Sequence, residues 1–313
     1  MEALKQILKK GEELLTGKRK KGPFKEILIN AEALENRVAV MEDGQLEEFT
    51  IERTTERRIV GSVFKGRIKN LEPGLKAAFV DIGFEKNAFL HYWDIIPESF
   101  DQRVELLDLP ERQKSEKKIT QADIPRLYPP GSEVIVQVVK GPIGTKGPRI
   151  TTNISIPGRF LVLMPFNAIR GVSRKIEDVK ERQRLKKILQ KMRIPESTGI
   201  IIRTAGAGQR ARYFIRDLEL MLSTWRDVEQ KIKTGATPSC VFQEPDLVER
   251  TVRDFLTEEV DRIMVDNEAA YERVRDMVGR ISRWSRGKLR QQPLQICSAA
   301  IPGYQPMDCT GVP

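Results

Sequence analysis

Arg203 and Thr204 stand where an apolar run meets a glycine-rich loop. Residues 200–202 are all isoleucine, which predicts a short buried strand, and Gly206 and Gly208 follow the Arg-Thr pair. Glycine lets a backbone approach a ligand closely, and successive exposed amides in such a loop make an anion site. A guanidinium and a hydroxyl add donors that suit a phosphate. This stretch therefore predicts phosphate binding; the alternative is an ordinary strand-to-helix turn with a solvated arginine.

A second group of candidate residues lies in a β-rich stretch of the first half of the chain. Its five predicted strands carry Phe79 and Phe89, and its last strand and loop carry Lys140, Lys146 and Arg149. The combination is typical of an OB-type barrel of the S1 RNA-binding kind, in which aromatic rings stack on bases and cations contact phosphates. The alternative is that both phenylalanines belong to the barrel core.

The composition favours a polyanionic partner. The chain has 54 Lys and Arg against 44 Asp and Glu, a formal net charge of +10. Such a surplus indicates nucleic acid or another anionic surface, with a basic but inert surface as the alternative. Because no run of 18 apolar residues occurs, no membrane contact is expected. The 3 cysteines, without a C-x-x-C spacing, fit a reducing cytoplasm and predict no zinc site.

Periodicity predicts the elements that must position these residues. A helix over 211–233 carries a stripe of core residues at helical spacing: Phe214, Leu218, Met221, Trp225, Val228 and Ile232. A charged helix is predicted from Asp178 to Met192, and a second helical region from 247 to about 280. Residues 99–127 are charged and broken by proline, which predicts a long insertion or flexible loop.

Short motifs follow one another in a fixed order from residue 24 to about 290. They include the stretches Phe64-Lys-Gly-Arg-Ile, Leu75-Lys-Ala-Ala-Phe-Val-Asp-Ile-Gly, Lys146-Gly-Pro-Arg-Ile-Thr-Thr, Gly158-Arg-Phe-Leu-Val-Leu-Met-Pro and Ile202-Arg-Thr-Ala-Gly-Ala-Gly. One motif alone would be weak, but the ordered set is specific. In this set the chain resembles the ribonuclease E/G family of bacterial endoribonucleases, which process and degrade RNA.

The resemblance implies an α+β, multi-domain fold. It places an S1-type OB β-barrel inside an RNase H-like body and adds a 5′-sensor α/β subdomain. The implied segments are a basic N-terminal arm at 1–23, RNase H-like parts at 24–57 and 249–290, the barrel at 58–152, the sensor at 153–248 and a divergent tail at 291–313. A solubilising tail is the alternative for the N-terminal arm.

The resemblance also implies site residues. In the family an Arg-Thr pair after a strand binds the 5′-monophosphate of RNA, and Arg203 and Thr204 match that pair; Gly158 and Val162 match two further residues of the pocket. The aromatic residues and lysine of the substrate channel match Phe79, Phe89 and Lys146. A tight cradle admits a monophosphate and excludes a bulkier, more charged triphosphate. The implied partner is single-stranded RNA, preferably 5′-monophosphorylated.

The catalytic chemistry of the family depends on two aspartates that hold a magnesium-type ion in a DNase I-like subdomain. Residues 291–313 match neither catalytic motif and contain one carboxylate side chain, Asp308. We therefore expect a chain truncated before that subdomain, with no catalytic residue, metal ligand or cofactor of its own; Mg²⁺ is expected for longer family members. Without the dimerising domain of the family, a monomer is expected.

Other polar residues offer no replacement for those aspartates. Glu258, Glu259 and Asp261 are interpreted as solvated helix faces, and His91, the single histidine, as structural. Two further hypotheses stay open. The chain is a stand-alone RNA-binding or regulatory module, or it works with a partner chain that supplies the catalytic subdomain.

Overall fold

The computed structural model describes residues 23–54, 59–95, 104–107, 120–256, 260–281 and 287–292. These residues form a mixed α+β structure with three β-sheets. The chain divides into two compact units, one made of Met1–Arg57 and Pro245–Pro313, the other of Arg58–Glu244. The part of the chain that the structure describes contains no helix with the length and apolar character needed to cross a membrane.

The elements are numbered here in chain order. The strands are β1 (Lys25–Ala31), β2 (Glu35–Glu42), β3 (Gln45–Arg53), β4 (Val63–Glu72), β5 (Ala77–Asp81), β6 (Ala88–His91), β7 (Val104–Leu106), β8 (Glu133–Lys140), β9 (Arg149–Thr151), β10 (Ile156–Pro157), β11 (Leu161–Met164), β12 (Arg170–Ser173), β13 (Gly199–Ile202), β14 (Ser239–Phe242), β15 (Val260–Val265) and β16 (Leu289–Gln291). The helices are α1 (Ile124–Leu127), α2 (Val179–Lys191), α3 (Ala211–Thr234), α4 (Leu247–Phe255) and α5 (Glu268–Ile281).

The first unit is built on a sheet of order β16-β15-β1-β2-β3. Strands β1, β2 and β3 are antiparallel, while β15 runs parallel to β1 and β16 parallel to β15. The turn between β2 and β3 has positive φ at Asp43 and Gly44, which suits a two-residue hairpin.

One prediction for this unit is wrong. The region 247–280 is not continuously helical, because β15 separates α4 from α5. Val260, Ile263 and Val265 of β15 are buried in the core of the unit, between β1 and β16. A strand in parallel pairing needs apolar residues at such positions. Asp261 therefore lies on a strand, where it accepts a hydrogen bond from the backbone of Lys25. Glu258 and Glu259 lie outside the described residues.

The second unit contains a closed five-stranded barrel. Its strand order is β4-β5-β6-β9-β8, and β8 pairs back with β4 to close it. Only β6 and β9 are parallel neighbours within this ring. This arrangement is OB-like, as predicted. Strand β14 pairs with β4 in addition, an element that the sequence patterns did not predict.

The other sheet of this unit has the order β10-β11-β13-β12-β7. Helices α2 and α3 begin and end within one residue of the predicted limits. The predicted stripe of α3 packs into a core with the sheet, and Trp225 within it is 6% exposed. The core role predicted for this stripe is therefore confirmed.

Residues 99–127 were predicted to be a long insertion or a flexible loop, and the flexible-loop alternative is wrong for the described parts, which contain regular structure. Residues 104–106 form β7. This strand stands between barrel strands β6 and β8 in the chain, but it pairs antiparallel with β12 in the other sheet. Gly171 allows this pairing, because a Cβ there would lie 2.4 Å from Cγ1 of Val104. The ion pairs of Glu105 with Arg182 and Lys186 attach β7 to α2. Residues 121–127 form a short 3-10 turn and α1.

Candidate nucleic-acid interface

A row of in-register residues crosses the barrel surface. Lys140 on β8 pairs with Arg149 on β9, Arg149 with Phe89 on β6, and Phe89 with Phe79 on β5. The row ends at Asn70 on β4. Residues directly opposite one another in a sheet share one face. The row therefore places two cations and two aromatic rings side by side over about 14 Å, at about 4.8 Å per strand.

The two phenylalanines lie outside the apolar core of the barrel. Their chain neighbours on β5 and β6 are fully buried in that core, whereas Phe79 and Phe89 are half-buried and keep an accessible edge. The alternation follows from the pleat of a strand, which sends successive side chains to opposite faces. The rings meet edge to face, with centroids 5.9 Å apart at 73°, an arrangement that aromatic pairs favour. An accessible aromatic surface of this kind suits base stacking.

The cations of the row differ in their environment. Lys140 is exposed at the end of its strand. The Arg149 side chain is 49% exposed, and its Nη2 lies 3.0 Å from Oδ2 of Asp94. This ion pair connects Arg149 to the short 3-10 turn that follows β6. Lys146 is exposed in the β8–β9 loop, where its backbone pairs with Ile143.

His91 continues the exposed side of β6 beyond Phe89. Its ring centroid is 6.4 Å from that of Phe89, and its Nδ1 accepts a hydrogen bond from the backbone N–H of Trp93 at 3.1 Å. The imidazole therefore caps the short 3-10 turn that follows β6. This is the structural role expected of it.

The second candidate site lies at the end of β13. Arg203 follows this strand directly, and its Nη1 donates to the carbonyl of Gly158 at 2.5 Å. The backbone N–H of Arg203 donates to the carbonyl of Phe160 at 2.8 Å. Thr204 is exposed next to it, with its hydroxyl 3.5 Å from that of Ser173. Arg203 is therefore held by the turn of residues 158–161, and Thr204 lies beside Ser173 at the end of β12.

Val162 and Gly158 lie on the neighbouring strand and turn. Val162 on β11 pairs with Ile201 on β13, and both are half-buried. Their neighbours Leu161 and Ile202 point into the core under α3, so Val162 and Ile201 take the opposite face. The structure thus brings the four predicted pocket residues to one end of the sheet. We call this group, Gly158, Val162, Arg203 and Thr204, the cradle.

A carboxylate from α2 holds the glycine loop beyond the cradle. Oε1 of Glu181 accepts a hydrogen bond from the N–H of Gly208 at 2.8 Å, and the same carboxylate forms an ion pair with Arg184. The hydrogen bond from Arg184 lowers the pKa of Glu181, the amide of Gly208 acts in the same direction, and burial opposes both. Glu181 therefore remains ionised at neutral pH and keeps the loop in place.

Three residues at the cradle were missed by the sequence analysis. They are Ser173, Glu181 and Asp217, of which Asp217 accepts backbone hydrogen bonds from residues 159–161. A signal for Asp217 was present, since it stands three residues after Phe214 on the apolar side of α3. The described residues contain no group of three or more His, Cys, Asp or Glu side chains placed to hold a metal ion.

Comparison with known proteins gives matches over most of the chain. The model of the Ribonuclease E/G family matches residues 155–297. Ribonuclease G of Escherichia coli is 41% identical over 247 residues, 79% of this chain and 48% of that protein. Ribonuclease G of Haemophilus influenzae is 39% identical over 251 residues, covering 80% and 49% of the two chains.

A more distant match is ribonuclease E of Buchnera aphidicola, 35% identical over 262 residues, or 83% of this chain and 26% of that protein. The chain spans about half the length of the ribonuclease G relatives that it matches. The ordered motifs, the OB-like barrel and these identities agree with one another. This chain belongs to the ribonuclease E/G family.

Proposed function

We propose that this chain binds single-stranded RNA on its barrel and recognises a 5′-monophosphate in its cradle, as part of RNA processing. The observation that carries the proposal is the cross-strand row Lys140–Arg149–Phe89–Phe79. Aromatic rings stack on bases of any sequence, and cations beside them meet the backbone phosphates. The net charge of +10 supports an anionic partner.

The cradle supplies recognition of the RNA end. A guanidinium held by the carbonyl of Gly158 presents a fixed cation, and the exposed hydroxyl of Thr204 adds a donor. A 5′-hydroxyl end offers no charge to this cation, and a triphosphate brings bulk and charge beyond one phosphate. A 5′-monophosphate fits best.

The remaining expectations are part of the same proposal. The sheet of α2 and α3 would be the 5′-sensor, and the first unit, with strand order β3-β2-β1-β15-β16, would be the RNase H-like body. The row and the cradle are proposed as binding sites, and Mg²⁺ stays an expectation for longer members of the family. Cytoplasmic location and a monomeric state stay predictions.

The barrel proposal is tested with Phe79→Leu and Phe89→Leu combined. Leucine keeps apolar bulk at both positions but removes the stacking surface, which is worth about 1–3 kcal/mol per base. We expect affinity for a short single-stranded RNA to fall at least tenfold, measured by fluorescence anisotropy at fixed salt.

Phe166→Leu is the matched control, because Phe166 is a phenylalanine outside the barrel strands that is 55% exposed and packs on Trp225 of α3. This control should bind as the unaltered chain does. If the double variant keeps both its native melting temperature and full affinity, RNA does not stack on the row, and the barrel proposal fails.

A further inference from the structure

Asp217 has a buried carboxylate and is not among the residues proposed to contact RNA. It lies on α3 among the core residues of the stripe, and the residue is 9% exposed. Burying an ionised carboxylate is unfavourable unless hydrogen bonds replace the lost water. Its position therefore calls for partners, and the structure provides three.

All three partners are backbone amides of one turn. Oδ2 of Asp217 accepts from Phe160 at 2.8 Å and from Leu161 at 3.0 Å, and Oδ1 accepts from Arg159 at 3.1 Å. Burial raises the pKa of Asp217, while these three donors act to lower it. Hydrogen bonds to a charged acceptor are stronger than neutral ones, so the carboxylate fixes the backbone of residues 159–161.

The same turn holds Arg203 from its other side. The carbonyl of Phe160 accepts the backbone N–H of Arg203, and the carbonyl of Gly158 accepts its Nη1. The approach of Gly158 to α3 is close, since a Cβ there would lie 2.5 Å from Sδ of Met221 and 2.8 Å from Oδ2 of Asp217. One short turn therefore connects a buried carboxylate to the arginine of the cradle.

We propose that Asp217 is a positioning residue for 5′-phosphate recognition: it fixes the turn whose carbonyl groups orient the guanidinium of Arg203. The inference rests on the proposed function of the cradle. Arginine carries about 2 kcal/mol of side-chain entropy, and a guanidinium that is ordered before RNA arrives loses less of it on binding. Asp217 itself touches no RNA.

The test compares Asp217→Asn with the unaltered chain in two measurements. Asparagine has the same shape, but its NH₂ group faces backbone N–H donors and cannot accept their bonds. First, the order of the Arg203 Nε–H group is measured by ¹⁵N relaxation without RNA. Second, affinities are measured for one RNA sequence bearing a 5′-monophosphate or a 5′-hydroxyl, and their ratio is the preference.

We expect Asp217→Asn to loosen the Arg203 side chain and to lower the preference about tenfold, with unchanged affinity for the 5′-hydroxyl RNA. Asp227→Asn is the matched control, because Asp227 is exposed on the same helix; it should change neither quantity. If Arg203 stays ordered in Asp217→Asn, or if the full preference survives, the positioning role is wrong.

The two levels of the proposal fail in different ways. An unaltered chain that shows no preference overturns the proposed 5′-recognition, while the order of Arg203 still decides whether Asp217 positions it. If Asp217→Asn does not fold, Gly158→Ala retains the carboxyl group of Asp217 but pushes the turn away from it, because the added Cβ would lie 2.8 Å from Oδ2. It should also loosen Arg203, and an ordered Arg203 in that folded variant would contradict the role of the turn.

Discussion

At the scale of single residues, the proposed RNA interface on the barrel combines two kinds of side chain, aromatic rings and cations. Under the proposal, Phe79 and Phe89 stack on bases, and Lys140 contacts the phosphate backbone whatever the base sequence. Arg149 combines a cation with a neighbouring carboxylate, Asp94, which fixes its direction. The distinction matters because stacking and charge respond differently to salt.

Lys140→Gln tests the charge contribution. Removing one phosphate contact should make the slope of log affinity against log salt concentration less steep by about 0.7 for single-stranded RNA. The measurement is a salt titration of RNA binding, with Lys233→Gln as the control, since Lys233 is exposed at the far end of α3. Equal slopes in Lys140→Gln and the unaltered chain would remove Lys140 from the interface.

Residue types and spacing predicted Arg203 and Thr204 as phosphate donors because strand, cation and glycine loop adjoin in the chain. They did not predict Ser173 or Asp217. Ser173 reaches Thr204 only through the parallel pairing of β12 with β13, and Asp217 reaches residues 159–161 across more than 50 positions. Contacts that depend on sheet order leave no local pattern.

At the scale of elements, the helices α2 and α3 were predictable, and the strands β7, β14 and β15 were not. An amphipathic helix repeats its apolar residues every three or four positions, so its limits can be predicted from the sequence. Strand β15 is short and flanked by charged residues, so it looked like part of a helical region. Strand β7 has three residues, and its formation depends on the open edge of β12, which no local sequence pattern reveals.

Glu105 is expected to hold β7 in place. Its carboxylate lies 2.8 Å from Nε of Arg182 and 2.5 Å from Nζ of Lys186. Pairs of this exposure contribute at most about 1 kcal/mol each. Glu105→Ala should speed amide hydrogen exchange in residues 104–107 roughly two- to fivefold, with the exposed Glu196→Ala as control. Unchanged exchange would mean that backbone pairing alone holds β7.

The ion pairs of Glu105 also predict that the protection of β7 against hydrogen exchange depends on pH. The hydrogen bond from Lys186 lowers the pKa of Glu105 from its ordinary value of 4.5, against the opposing effect of burial. A lowered folded-state pKa means that the stabilisation is present above pH 4.5 and is lost as pH falls through the folded-state pKa. The difference in β7 protection between the unaltered chain and Glu105→Gln should therefore shrink below pH 4.5. A difference that persists in acid would contradict the ion-pair explanation.

At the scale of the whole molecule, both candidate sites lie in the unit Arg58–Glu244. Strand β7 connects them along the chain, because it follows β6 of the barrel and pairs beside Ser173 in the sheet of the cradle. The proposed RNA-binding row and the proposed phosphate site thus belong to one compact unit of a chain in the ribonuclease E/G family.

The central claim is that the cradle distinguishes RNA ends. The most direct measurement is the affinity of the unaltered chain and of Arg203→Ala for one single-stranded RNA with a 5′-monophosphate or a 5′-hydroxyl. We predict that the unaltered chain prefers the monophosphate. Arg203→Ala should lose that preference while binding the hydroxyl RNA as before. An equal loss of affinity for both ends, or no preference in the unaltered chain, would contradict the assignment.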